Sequence, residues 1–358
     1  MKTASIEGNP NRGLIRSETD FDGLMLQIEN SIYAKIKGTL EGRLNSASQE
    51  IKHMAADYTD RKGRYIRPKL MWVVAKMFGA EDKDIIDPAA AIQLSEDFVL
   101  QIDDMLDSTE MRRGKPTFHR LYGLENAIIT PQFLMGVMWN IMHEYASSHG
   151  ALGEAVYRKF MEFSDITFEG QAIENMFKPR QTSTYKKSYN PPIFGLDKAT
   201  YSTYFEIIKK KTAAYTVYGP AQVGATIGHA NETQLKLIEQ IGSMFGIAFQ
   251  IKDDIADYKE DIKEGQPTII TIHSYSKAND AEKRFMERLF SKLPEEKAEQ
   301  EIDAAVQIVD KYGSISYASS IYLDKIKEAM ELYSKNSNTL PKNAYTDMLF
   351  KLFSEYVG

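Results

Sequence analysis

Three carboxylates and two guanidinium groups crowd into one short stretch of this chain. In Gln101-Ile-Asp-Asp-Met-Leu-Asp-Ser-Thr-Glu-Met-Arg-Arg-Gly-Lys-Pro116, the acids Asp103, Asp104 and Asp107 close an apolar run. Arg112 and Arg113 follow, before a Gly-Lys-Pro break. Positions four apart on a helix share a face one turn, about 5.4 Å, apart. Asp103 and Asp107 therefore point the same way, with Asp104 beside them. Carboxylates stacked like this repel unless a cation sits between them, and oxygen-only ligands suit a hard ion such as Mg²⁺. That ion keeps several waters and takes only one or two carboxylates plus substrate phosphates. Nearby arginines supply bidentate phosphate donors. Acid, metal and arginine together describe a diphosphate site. Taken alone, a DDxxD stretch is also common on solvated helix ends, so its weight depends on a second copy.

That copy is Phe249-Gln-Ile-Lys-Asp-Asp-Ile-Ala-Asp257, again after an apolar run. Asp253 and Asp257 share a helical face, with Asp254 adjacent. Two such helices facing each other would clamp metal ions from opposite sides of a cavity. So many acids in one cleft are costly without cations, so Mg²⁺ and a polyanionic substrate are the natural complement.

The elements that must position these groups read as helices throughout. Apolar residues recur at helical spacing from Phe21 to Ile36, and the stretch from Pro88 to Asp107 reads as the first acidic helix. Alternating strand patterns are rare, and the expected fold is a single all-α bundle around a deep central cavity. Residues 1–18 are polar and lack a signal-peptide core, so we expect a flexible tail followed by one domain, 19–358. Hydrophobic residues make up 43% of the chain, enough for a sizeable core. A net charge of −6 with no basic stripe argues against nucleic-acid binding. No cysteine is present, which excludes disulfides, thiolate zinc sites and cysteine nucleophiles. The charge-free stretches Asn126–His143 and Thr212–Asn231 carry too many polar residues to span a bilayer, and both read as buried core helices. A cytoplasmic location is expected.

The ordered set Gly63-Arg-Tyr-Ile-Arg-Pro68, Asp103-Asp-Met-Leu-Asp107 with Arg112-Arg-Gly-Lys-Pro116, Gly170-Gln171, Lys211-Thr212 and Phe249-Gln-Ile-Lys-Asp-Asp254 resembles the trans-isoprenyl diphosphate synthases of the polyprenyl synthetase family. The resemblance implies a prenyltransferase that condenses isopentenyl diphosphate with an allylic prenyl diphosphate into a short-chain product, geranylgeranyl or farnesyl diphosphate. It implies Mg²⁺, about three ions, and a homodimer. Asp103, Asp107 and Asp253 are then the leading metal ligands, with Asp104 and Asp257 in support. Arg112, Lys211, Thr212 and Gln250 serve the allylic diphosphate, and Arg64, Arg67 and Arg113 the isopentenyl diphosphate. Phe98 and Val99, a little over one turn before Asp103, form the floor that limits product length.

Three departures stand out. Glu96 occupies a place where the family has His or Gln beside isopentenyl diphosphate, and a carboxylate there repels the substrate unless paired with Arg64. Gln266 stands where a lysine helps to hold the allylic diphosphate. The loop after Asp257 is short, with Lys259 or Lys263 as substitutes for a missing lysine. Glu174 replaces a usual aspartate; Gln171 and Glu174 either orient metal-bound water or satisfy a buried polar layer. Two other readings stay open at this point: a terpene synthase on the same scaffold, and a non-catalytic partner subunit of another prenyltransferase.

Overall fold

Helical periodicity in the sequence carries through to the backbone. The computed structural model describes residues 18–181, 189–190 and 192–357. Its first five helices are α1 (Glu18–Arg43), α2 (Gln49–Asp60), α3 (Ile66–Met77), α4 (Asp82–Leu106) and α5 (Phe118–Ser148). Next come α6 (Gly150–Asn175), α7 (Tyr201–Ile208), α8 (Gly219–Ile227), α9 (Glu232–Glu264) and α10 (Ile269–Lys277). The chain closes with α11 (Asp280–Ser291), α12 (Glu299–Lys311), α13 (Ser314–Lys335) and α14 (Ala344–Val357). Between α7 and α8 the helix widens into a π-helical segment, Lys209–Tyr218. Extended structure among the described residues amounts to two short antiparallel ladders: β1 (Met111–Arg112) with β2 (Lys115–Pro116), and β3 (Arg180–Gln181) with β4 (Tyr189–Asn190). The expected all-α class is what the chain adopts. The expected tail lies outside the described residues, apart from Glu18, which opens α1.

The described helices group into two compact units, one made of residues 18–157, 223–235 and 338–355, the other of 158–181, 189–190, 192–222, 236–337 and 356–357. In the first, α1 buries Phe21, Met25, Ile28, Ile32, Ile36 and Leu40, a single stripe at helical spacing that packs on α2, α3 and α4. Each such side chain contributes about 1.5–3 kcal/mol when taken out of water. The longest shared face in this unit runs between α4 and α5. Helix α4 starts before Pro88 rather than at it. Asp82 and Asp84 favour the positive end of the helix dipole, and the proline is carried inside the helix. Helix α5 is amphipathic rather than wholly buried: Leu134, Val137, Met138, Ile141 and Met142 face the core, whereas Leu124, Ile128 and Met135 are exposed. In the second unit, α10 packs on α7, α11, α12 and α13 around Ile269, Ile270, Met286, Leu289, Ala305 and Val309. The other charge-free stretch is buried as expected, from Thr212 through Val217 to Ile227.

Candidate active site

In the first unit the acidic motif ends α4. Adjacent helical residues lie about 100° apart, so Asp104 does not share the face of Asp103. Asp104 is completely buried while Asp107 is exposed at the helix end. Tyr58, on α2, donates its hydroxyl to Asp104 Oδ2 at 2.5 Å. Arg112 Nε donates to Oδ1 at 3.0 Å, and its Nη2 closes a second contact to the same oxygen. Both oxygens of Asp104 are thus engaged by protein groups, which makes it an internal anchor where a supporting metal ligand was expected. Burial and the Asp104 carboxylate push the Tyr58 hydroxyl far above its ordinary range. The Asp104 hydrogen bonds likewise hold the Arg112 guanidinium above its usual value.

Arg112 and Arg113 are presented by the β1–β2 hairpin. Its two central residues, Arg113 and Gly114, both have positive φ (+51° and +75°), which matches the turn type that suits a two-residue hairpin. For a non-glycine residue such as Arg113 this is a sparsely populated conformation, and such strain gathers at functional positions. Arg61 pins the hairpin to α2: its guanidinium donates to the carbonyls of Arg112 (3.2 Å) and Pro116 (2.9 Å) while pairing with Asp57 at 2.6 Å. Nothing in the motif pattern marks Arg61 or Tyr58, and both were missed from the sequence.

The Gly63–Pro68 motif opens α3. Arg113 lies so close to Gly63 that a Cβ there would meet its Nη2 at 2.3 Å, so any larger residue would have to move this guanidinium. Glu96, nearly buried on α4, bridges two guanidinium groups: Arg67 Nη1 at 3.2 Å and Arg113 Nη2 at 3.5 Å. Arg64, the pairing that would have neutralised this carboxylate, is exposed, and its backbone carbonyl accepts from Lys69. One residue on, Asp97 is held by Thr59 and Gln93, and burial pushes its carboxyl up to about 7. Phe98 and Val99 are half-buried.

The second unit repeats the plan on α9. Asp254 is buried and takes the hydroxyl of Tyr204, from α7, at 2.6 Å, while Asp257 is exposed. Gln250 Nε2 donates to the other Asp254 oxygen at 2.8 Å, and Thr212 donates to Gln250 Oε1 at 2.5 Å. Both ends of the Gln250 amide therefore hold Thr212 and Asp254. Burial pushes Asp254 up to about 7 despite these donors. Lys211, in the π-helical segment, pairs with Glu174 of α6 at 2.5 Å. Gln171 and Gln266 also donate to Glu174, at 3.2 and 3.1 Å. Burial alone would raise Glu174, but Lys211 and Lys178 keep it below the usual carboxylate value. Glu174 thus sits in a buried polar layer, with Gln171 half-buried at its edge. Gly170 lets α6 touch the backbone that carries Lys211, since a Cβ there would fall 2.4 Å from the Lys211 nitrogen. A cavity of about 20 Å³, room for about one water, lies among Glu174, Tyr204, Gln250, Asp254 and Gln266. Lys263 is tied to Glu260 at 2.9 Å.

Among the described residues no three acidic, histidine or cysteine side chains converge into a metal-holding group. With the middle aspartates committed to tyrosines, each helix offers one pair of hard oxygen donors a turn apart: Asp103 with Asp107, and Asp253 with Asp257. That donor set fits Mg²⁺, which needs few carboxylates and completes its shell with water and phosphate.

Known proteins give the same picture. A sequence profile of the polyprenyl synthetase family matches residues 48–309. The geranylgeranyl diphosphate synthase of Sulfolobus acidocaldarius is 27% identical, over 89% of this chain and 93% of its own. The geranylfarnesyl diphosphate synthase of Natronomonas pharaonis is 25% identical, over 86% and 87% respectively. The crystal structure of geranylgeranyl pyrophosphate synthetase from Pyrococcus horikoshii superposes with a TM-score of 0.73 at 27% identity, covering 94% of this chain and 99% of that one. A profile spanning most of the chain, relatives matched nearly end to end and a shared all-helical fold make this chain a member of the polyprenyl synthetase family.

Proposed function

We propose that this chain is a short-chain trans-prenyltransferase that joins isopentenyl diphosphate to an allylic prenyl diphosphate, giving geranylgeranyl or farnesyl diphosphate. The observation that carries the reading is the repeated construction of the two acidic motifs. In each, a tyrosine from a neighbouring helix fixes the middle aspartate inside and leaves the outer pair as oxygen donors. Asp103 and Asp107, and Asp253 and Asp257, would hold Mg²⁺, which when bound neutralises the departing diphosphate and makes it a better leaving group.

The chain's own residues do the rest. With its Nε and Nη2 edge on Asp104, the one-third-exposed Arg112 offers its Nη1 edge to the allylic diphosphate. Lys211, held by Glu174, is a point charge suited to a diphosphate. Thr212 and Gln250 act behind them by fixing Asp254. Arg64, Arg67 and Arg113 take the isopentenyl diphosphate. Apolar side chains, Phe98 and Val99 among them, keep water from the allylic cation and set product length. The proton released after carbon–carbon bond formation passes to the departed diphosphate, whose anionic oxygens are themselves a base.

The exposed residues Leu124, Ile128 and Met135 share one face of α5 and support a homodimer. Among the described residues no helix is long and apolar enough to cross a membrane, and a cytoplasmic location belongs to this proposal. The terpene-synthase and partner-subunit readings are not favoured by the relatives, which are named as diphosphate synthases. Incubating the chain with farnesyl diphosphate and Mg²⁺, with and without isopentenyl diphosphate, tests the assignment. Longer prenyl diphosphates that need isopentenyl diphosphate support it; hydrocarbon or alcohol formed without it, or no turnover, refutes it.

A further inference from the structure

Glu96 bridges two guanidinium groups in the first unit, at 3.2 Å from Arg67 and 3.5 Å from Arg113. Its side chain is 11% exposed and both arginine side chains are 19% exposed, so the triad is only partly screened by water. The bridge is built rather than incidental. Gly63 clears the space that Arg113 needs, and Arg113 accepts a left-handed backbone to reach it. Arg113 Nη1 also donates to the Tyr58 carbonyl at 3.4 Å, which fixes the side chain from a second direction.

We infer that Glu96 is an internal counter-anion of the isopentenyl diphosphate subsite, a specificity-determining residue in ion-pair contact with the same guanidinium groups the substrate needs, and that it so weakens substrate binding. The inference rests on the assignment of Arg67 and Arg113 to that substrate. Two arginines and one glutamate carry a net charge of +1 where two arginines alone carry +2. A docking diphosphate must either share the guanidinium edges with Glu96 or displace it, and in both cases it meets a carboxylate a few ångströms away. At the effective dielectric of a partly exposed site that repulsion is a real but moderate cost. It grows with the charge of the ligand, so the subsite discriminates by charge as well as by shape.

Glu96→Gln keeps the side-chain length and one acceptor oxygen while it removes the charge. Its dissociation constant for isopentenyl diphosphate, measured by calorimetry without the allylic partner, should fall about tenfold. The gain should be smaller for isopentenyl monophosphate, and affinity for farnesyl diphosphate should stay within about twofold. In steady state the KM for isopentenyl diphosphate should fall in parallel. Thermal melting confirms that the variant is folded; if it is not, Glu96→Ala removes the same charge and carries the same expectation. Unchanged or weaker binding of isopentenyl diphosphate by the variant, or an equal gain for monophosphate and diphosphate, would overturn the inference while leaving the parent function intact. A wild-type chain that neither binds nor consumes isopentenyl diphosphate would overturn both.

Discussion

The hydroxyl of Tyr58 gives the sharpest test of how the first acidic motif is held. Tyr58 and Asp104 are both fully buried, and the hydroxyl–carboxylate contact is 2.5 Å. Tyr58→Phe keeps the ring, with its edge contact to Phe118 and the Arg61 guanidinium 4.5 Å over its face, and deletes only the hydroxyl, which donates to Asp104 and accepts the Phe118 backbone N–H at 3.3 Å. A hydrogen bond to a charged group contributes about 1.5–3 kcal/mol, and the buried carboxylate oxygen that loses it keeps only the longer contact from Arg112 Nε at 3.2 Å. The loss should therefore be about 2–3 kcal/mol, which lowers the melting temperature by roughly 4–10 °C for a unit of this size. Urea unfolding of wild type, Tyr58→Phe, Asp104→Asn and the double variant makes the cycle. With Asp104 neutralised, removing the hydroxyl should cost only what a neutral hydrogen bond does, so the two changes couple by about 1 kcal/mol or more. A Tyr58→Phe cost below about 0.5 kcal/mol, or strict additivity with Asp104→Asn, would refute the anchoring argument.

Asp103→Ala removes an outer acid that the fold does not depend on in this way, so turnover should drop roughly a hundredfold or more while melting shifts little. Near-normal turnover would remove Asp103 from the metal-ligand set. Phe98→Ala should lengthen the products seen by chromatography; an unchanged product length would place the floor elsewhere. Asp97 has a pH signature. Burial raises its carboxyl from 3.8 to about 7, so the folded state binds the proton more tightly than the unfolded chain. Its stabilisation is thus complete below pH 4 and is lost as the pH climbs through 7, by an amount on the order of a few kcal/mol. Asp97→Asn, which suits Thr59 and Gln93 as partners, should flatten the fall in melting temperature between pH 4 and 7. An equally steep fall in the variant would assign that slope to other groups.

Much of the site was legible because motif residues carry their chemistry in their types. Paired acids, arginines before Gly-Lys-Pro and a Lys-Thr step can be read without coordinates. What escaped was the partner of each residue. Asp104 and Asp254 look like their neighbours in the sequence, yet the 100° step of a helix turns them inward, and inward acids need donors. Tyr58 and Tyr204 supply those donors from 46 and 50 residues away, a separation over which no local pattern operates. Glu96 was legible as a carboxylate out of place, which only a pairing with Arg64 would neutralise; the left-handed turn at Arg113 brings a different guanidinium to it, which no local pattern announces. Helix boundaries drifted for a simpler reason. Pro88 reads as a start signal, but the acids at Asp82 and Asp84 begin the helix a turn and a half earlier.

The widened segment from Lys209 to Tyr218 has a consequence for how this region tolerates insertions and deletions. A π turn is an α-helix carrying an added residue, so it acts as a phase shifter between α7 and α8. Losing a single residue there would let the backbone relax to ordinary helix and rotate one side of it by about 100° against the other. Lys211 would swing away from Glu174, or Tyr204 away from Asp254, although every charged group would still be encoded. In this stretch the spacing of the chain is itself a functional quantity, as tightly constrained as the identity of any acid.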